Sequence, residues 1–131
     1  MVELSFREAE IIRERAEAFL ENAERLVNEG KYDLAAFSIE QYCQLMLKFK
    51  LLLKTGTYPR IHSILGLLRL LSSLSKDVKD FVEDSQNILY LTKIEDTYIG
   101  ARYLPRRYEE SEVKDMLKFV KEVFKAVVER I

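Results

Sequence analysis

Apolar residues recur along the chain at the three-and-four spacing of a helix, in five successive blocks. In the first, Ser5 followed by Glu8 reads as a capping box. Ala9, Ile12, Ala16, Phe19, Leu20, Ala23, Leu26 and Val27 then keep a helical period until Gly30 stops it. The second block, Asp33 to Lys54, is different in kind. Leu34, Ala35, Ile39, Tyr42, Leu45, Met46, Phe49, Leu52 and Leu53 cover an arc too wide for a helix resting on a surface, which predicts a central helix covered from several sides. The narrow arc that remains carries Glu40, Gln41, Gln44 and Lys48, interrupted by Phe37 and Leu51.

Gly56 and Pro59 punctuate the next loop. A third helix comes after it, with Ile61, Ile64, Leu65, Leu68, Leu71 and Leu74 as a leucine-rich seam closed by Ser72, Ser73 and Ser75. Asp77 to about Arg102 forms a fourth helical stretch whose inward residues are Val78, Phe81, Val82, Ile88, Leu89, Leu91, Tyr98 and Ile99. An irregularity near Ser85 to Asn87 leaves open whether it is one bent helix or two. After the break at Leu104-Pro105, a fifth helix shows Val113, Met116, Leu117, Val120, Val123, Phe124, Val127 and Ile131 on one face. No strand alternation, hairpin signal or internal repeat competes with this pattern. The expectation is an all-α, up-and-down bundle of about five helices in one domain spanning 1–131.

Composition narrows the class. With 131 residues, 48% of them hydrophobic and 33% charged, the chain has the size and apolar content of one folded domain and not of a disordered segment. No apolar run reaches bilayer length and the N-terminus is too acidic for a secretory signal, so a cytoplasmic protein without a membrane partner is expected. The one cysteine, Cys43, lies mid-helix and reads as a buried structural thiol.

Short loops make consecutive helices antiparallel, which brings the loops after the second and fourth helices to one end. That end gathers Lys48, Lys50, Lys54, Tyr58, Arg60 and His62 with Tyr98, Arg102, Tyr103, Arg106, Arg107 and Tyr108, a basic cluster hidden within a net charge of -1. Arginine beside tyrosine suits phosphate gripping and base stacking. The same residues also serve as helix-end cover for apolar surface, and both readings stand. His62, at the start of the third helix, sits where backbone donors favour an anion. No second imidazole or nearby cysteine completes a metal set, and no P-loop, nucleophile elbow or dinucleotide fingerprint occurs. Neither a metal nor a cofactor is expected.

Three separated pieces carry a family resemblance: Tyr32-Asp33-Leu34-Ala35-Ala36-Phe37 leading into Gln41, Gln44 and Lys48; Pro59-Arg60-Ile61-His62-Ser63-Ile64; and Tyr98-Ile99-Gly100-Ala101-Arg102-Tyr103-Leu104-Pro105. With these the chain resembles the HEPN domain (higher eukaryote and prokaryote nucleotide-binding) in its short, stand-alone prokaryotic or archaeal form. The resemblance implies a helical bundle, commonly homodimeric, that binds a nucleotide or RNA and pairs with a separately encoded minimal nucleotidyltransferase in a toxin–antitoxin-like module. The residues it assigns to nucleotide or phosphate are Gln41, Gln44, Lys48, His62, Arg102 and Tyr103, to which the basic end adds Arg60 as a charge partner. Ribonuclease members of the family carry a histidine four to six residues after the arginine. Here Arg102 is followed by Tyr-Leu-Pro-Arg-Arg-Tyr-Glu, so no catalytic residue is assigned, and Gln44 stands where many relatives carry a helix-two glutamate. An interaction subunit without a ligand site is the alternative, and a metal-independent endoribonuclease using Arg102 and His62 is a third.

Overall fold

The computed structural model describes the backbone of residues 2–131 and the side chains of residues 6–131. Every regular element in that span is helical: α1 (Val2–Asn28), α2 (Tyr32–Thr55), α3 (Ile64–Ser72), α4 (Lys76–Glu83), α5 (Ser85–Tyr103) and α6 (Glu110–Phe119). The last of these continues through a π-helical turn, Val120–Phe124, into α7 (Lys125–Glu129). α1 already runs through Ser5, so Ser5 is not the N-cap that the capping-box reading made it; its side chain lies outside those described. None of the described helices is long and apolar enough to cross a membrane.

The central position of α2 stems from its sequence. It touches α1, α3, α5, α6 and α7, and it buries Ala35, Ala36, Ile39, Tyr42, Cys43, Met46, Leu47, Phe49, Leu51 and Leu52. Leu51, expected within the polar arc, is in the core, whereas Leu34 and Leu53 are exposed. Ala35 and Leu52 beside them are buried, so the side of α2 that Leu34 and Leu53 face leaves them exposed. Glycine sets both ends of the α1–α2 hairpin. Gly30 (φ 74°) closes α1, with Lys31 N donating to Leu26 O and Gly30 N to Val27 O. Gly56 (φ 81°) closes α2 by donating to Leu52 O.

Three further local features depart from the sequence expectation or resolve what it left open, each for a local reason. Ser63 caps α3, its hydroxyl accepting from Gly66 N at 3.0 Å, so Ile61 falls in the preceding loop and is exposed. The fourth stretch is two helices. Asp84 adopts an extended backbone and its carboxylate accepts from Gln86 N and Asn87 N, starting α5, while the Asn87 amide donates to Phe81 O and closes α4. In the last helix, Lys125 N donates to Val120 O five residues back. The wider turn rotates the residues beyond it, so Phe124 and Val128 are buried and Val123 is exposed. Leu74, Leu89 and Ile99 are also exposed, contrary to their predicted inward placement.

α5 buries Leu91 and Ile94 in its first half, and beyond them its inner contacts are polar or small. Thr97 is fully buried and its hydroxyl meets Ala36 O of α2 and Ile94 O of its own helix. Gly100 lies under Tyr108, whose backbone N–H donates to Asp33 of α2 at 2.7 Å. These ties fix the rotation of α5 against α2, and with it the face that α5 offers to the site.

Candidate functional site

The polar arc of α2 does not face open solvent. Glu40 has no exposed surface and Gln44 is also buried, so their polar atoms need partners within the protein. The Gln41 amide donates to Glu40 Oε1 at 2.8 Å, and the Gln44 amide donates to Glu40 Oε2. The other side of the Gln44 amide, Oε1, lies 3.4 Å from His62 Nδ1. Burial pushes the Glu40 carboxyl up to about 7, against the opposing pull of the two amides. Of the more distant charges on α5, Glu95 raises it further and Arg102 lowers it. Burial also pulls the half-buried Lys48 ammonium below its ordinary value, partly offset by the charge of Glu40. Cys43 is buried beside this group, and burial, aided by Glu40, holds its thiol well up.

His62 reaches the site because its loop is fastened to α5. Glu95 accepts from the Ser63 hydroxyl at 3.0 Å and from Leu65 N at 3.2 Å. The N-terminus of α3, where an external anion was expected, thus already holds an anionic partner from the chain itself. His62 is then stacked on Tyr98, with ring centres 4.7 Å apart and planes 20° apart. One turn further along α5, the Arg102 guanidinium lies 4.3 Å from the Tyr98 ring centre, 4.9 Å from that of Phe37 and 4.7 Å from that of Tyr103. Its Nε donates to Tyr98 O at 2.7 Å. Among the described residues no carboxylate lies within ion-pair distance of it. The guanidinium is thus held by rings at a helix end, with N–H donors that no carboxylate among the described residues takes up.

The sequence-predicted residues are therefore brought together in part. Gln41, Gln44 and His62 join through Glu40, and Arg102 joins His62 through Tyr98. Tyr103 is 68% exposed and touches the group only through Arg102. Lys48 lies along the same stripe with its ammonium 5.8 Å from the Tyr58 ring centre. Arg60 is exposed and makes no contact with the group among the described residues. They do not surround one hollow. A groove of about 610 Å³ is lined by His62, Glu95, Tyr98 and Ile99 at one side and by Arg106 and Tyr108 at the other, while Gln44 and the Arg102–Tyr103 pair lie outside its walls. Arg106 is engaged with Glu112 and with the Tyr108 ring.

A family model for the HEPN domain matches residues 9–131. The chain belongs to the HEPN family. No curated protein matches it. In this HEPN domain, two residues outside the expected site set organise the site. In the sequence, Glu40 lies on the narrow polar arc of α2 with Gln41, Gln44 and Lys48; the width of the apolar arc around it is the available signal of burial. Tyr98 reads both as an inward position and as a member of the basic end, and its spacing of four from Arg102 puts both on one helix face. The helix-two carboxylate expected to be missing at Gln44 has a counterpart one turn earlier, at Glu40.

Proposed function

We propose that this protein is a nucleotide-binding HEPN module, a cytoplasmic homodimer acting with a separately encoded minimal nucleotidyltransferase in a toxin–antitoxin-like pair. The observation that supports it best is the Arg102 guanidinium, exposed, held among Phe37, Tyr98 and Tyr103 and lacking a carboxylate partner among the described residues. Its planar fork suits a phosphate, and the exposed Tyr103 ring beside it suits a base. His62 and Lys48 add polar and cationic groups along the same stripe.

Calorimetric titration of the purified protein with ATP, GTP and short RNA at low and moderate salt tests this reading. Binding that weakens with salt and falls at least about tenfold in Arg102→Ala is the expected result. No binding, or binding indifferent to Arg102→Ala, refutes it. A second reading, an interaction subunit without a ligand, draws support from the exposed apolar residues Ile99, Tyr103 and Leu104 next to Arg102. A silent nucleotide titration together with co-purification of a nucleotidyltransferase favours that reading. Sedimentation showing a monomer at micromolar concentration refutes the homodimer.

A further inference from the structure

The hydrogen bonds that run from Glu40 to His62 decide which imidazole nitrogen carries the proton. An ionised carboxylate offers acceptors only, so each amide that meets it must turn its nitrogen inward. Gln41 and Gln44 both do so, one on each carboxylate oxygen of Glu40. The Gln44 amide is thereby committed. Its remaining oxygen faces His62 Nδ1 at 3.4 Å, and a carbonyl oxygen can only accept. Nδ1 must therefore be the donor, and in the neutral ring Nε2 is left with its lone pair. Stacking on Tyr98 and the Glu95 tie on Ser63 hold the ring at this station.

We propose that Glu40 is a positioning residue that acts through Gln44 to hold His62 as the Nδ1–H tautomer, so that the site presents a hydrogen-bond acceptor, Nε2, to its ligand. That reverses the simplest role for a histidine beside a phosphate, which is to donate. An acceptor and the Arg102 cation, linked through Tyr98, suit a ligand that is anionic at one end and carries a hydroxyl donor at another. His62 and Arg102 both rest on Tyr98, at 4.7 and 4.3 Å from its ring centre, and a ribonucleotide reaching both would place its phosphate on Arg102 and a sugar hydroxyl on Nε2. The ligand class is thus a ribonucleotide read through a sugar hydroxyl. This second half rests on the nucleotide-binding reading; the tautomer does not.

His62 is the one histidine in the chain, so its ring nitrogens report without overlap. Long-range proton–nitrogen correlation spectra are recorded on ligand-free, ¹⁵N-labelled protein at about pH 8.5, where Glu40 is ionised and a histidine ring is ordinarily neutral. The expected wild-type spectrum shows a protonated Nδ1 and an unprotonated Nε2. Gln44→Leu should return the ring to the Nε2–H form that free histidine prefers. An Nε2–H ring in the wild-type protein overturns the proposal by itself, whether or not the variant folds, and so does a folded Gln44→Leu protein with an unchanged tautomer. Titration with ADP and with its 2′,3′-dideoxy counterpart tests the ligand half. ADP should bind about five- to tenfold tighter, the effect of one hydrogen bond, and His62→Ala should remove the difference. Equal affinities, or no binding of either, overturn the hydroxyl assignment. An Nδ1–H ring in a protein that binds neither compound locates the failure in the nucleotide reading and not in the Glu40–Gln44–His62 chain.

Discussion

Replacing Glu40 by glutamine should make the protein more stable above neutral pH, although it removes the hub of a hydrogen-bonded group. Glu40 ionises near 7 in the folded protein and near 4.5 when the chain is unfolded. Between those values the folded state binds the extra proton, so stability falls as pH rises through this window. Above pH 7 the folded state carries a cost of about 3 kcal/mol that is absent below pH 4.5. The groups acting on Glu40 are Gln41, Gln44 and Lys48 on its own helix, Glu95 and Arg102 on α5, and His62 through Gln44. Glutamine copies the shape of the protonated acid and cannot ionise. Glu40→Gln should therefore match the wild type near pH 4.5 and exceed it by about 3 kcal/mol at pH 8, or roughly 10 °C in Tm for a chain of this length. Urea denaturation of both proteins from pH 4.5 to 8.5 measures the difference. A gain at pH 8 below about 1 kcal/mol, or the same gain at both ends of the range, refutes the reasoning.

Other consequences of the packing are equally open to measurement. Gly100→Ala should lower stability by about 1–3 kcal/mol, although helix propensity alone predicts a gain, because the new Cβ would meet the Tyr108 hydroxyl oxygen at 2.5 Å; Tyr108→Phe should recover part of the loss in thermal unfolding. Phe124→Ala should cost about 3–5 kcal/mol and Val123→Ala less than about 1 in urea denaturation, since Phe124 is fully buried and Val123 is 37% exposed; the reverse order would contradict the π turn. Glu95→Ala should cost about 1–2 kcal/mol by uncapping α3, and hydrogen exchange at Leu65 N should speed up.

The sequence was most legible where a helix hides a single face. Ala9, Ile12, Ala16, Leu20, Ala23, Leu26 and Val27 of α1 are all buried as their spacing requires. It was least legible in α5, where, apart from the buried Leu91 and Ile94, burial is decided by shape and hydrogen bonding instead of hydropathy. Leu89 is 63% exposed while Thr97 and Gly100 are buried, because Thr97 bonds to Ala36 O and Gly100 makes room for Tyr108. Neither contact leaves a trace in the pattern of apolar positions. The site shows the same division. Helix order and loop length were enough to bring His62 near Arg102, but the residue between them, Tyr98, and the carboxylate beneath Gln44 required the rotation of α5 against α2. In the last helix, the regular stripe concealed a change of register that no composition signal marks.

The π turn also bears on how the chain tolerates changes in length. Phe124 and Val128 come after Val120 in steps of four, which an ordinary α-helix would let drift off the core. Omitting the exposed Glu122 would bring them to the third and seventh positions after Val120, the spacing of an unbroken α-helix. A one-residue indel can thus be absorbed in the middle of a helix, with the same side chains still pointing inward on either side of it. Superposing this segment on a uniform helix demands a gap inside the rod instead of in a loop.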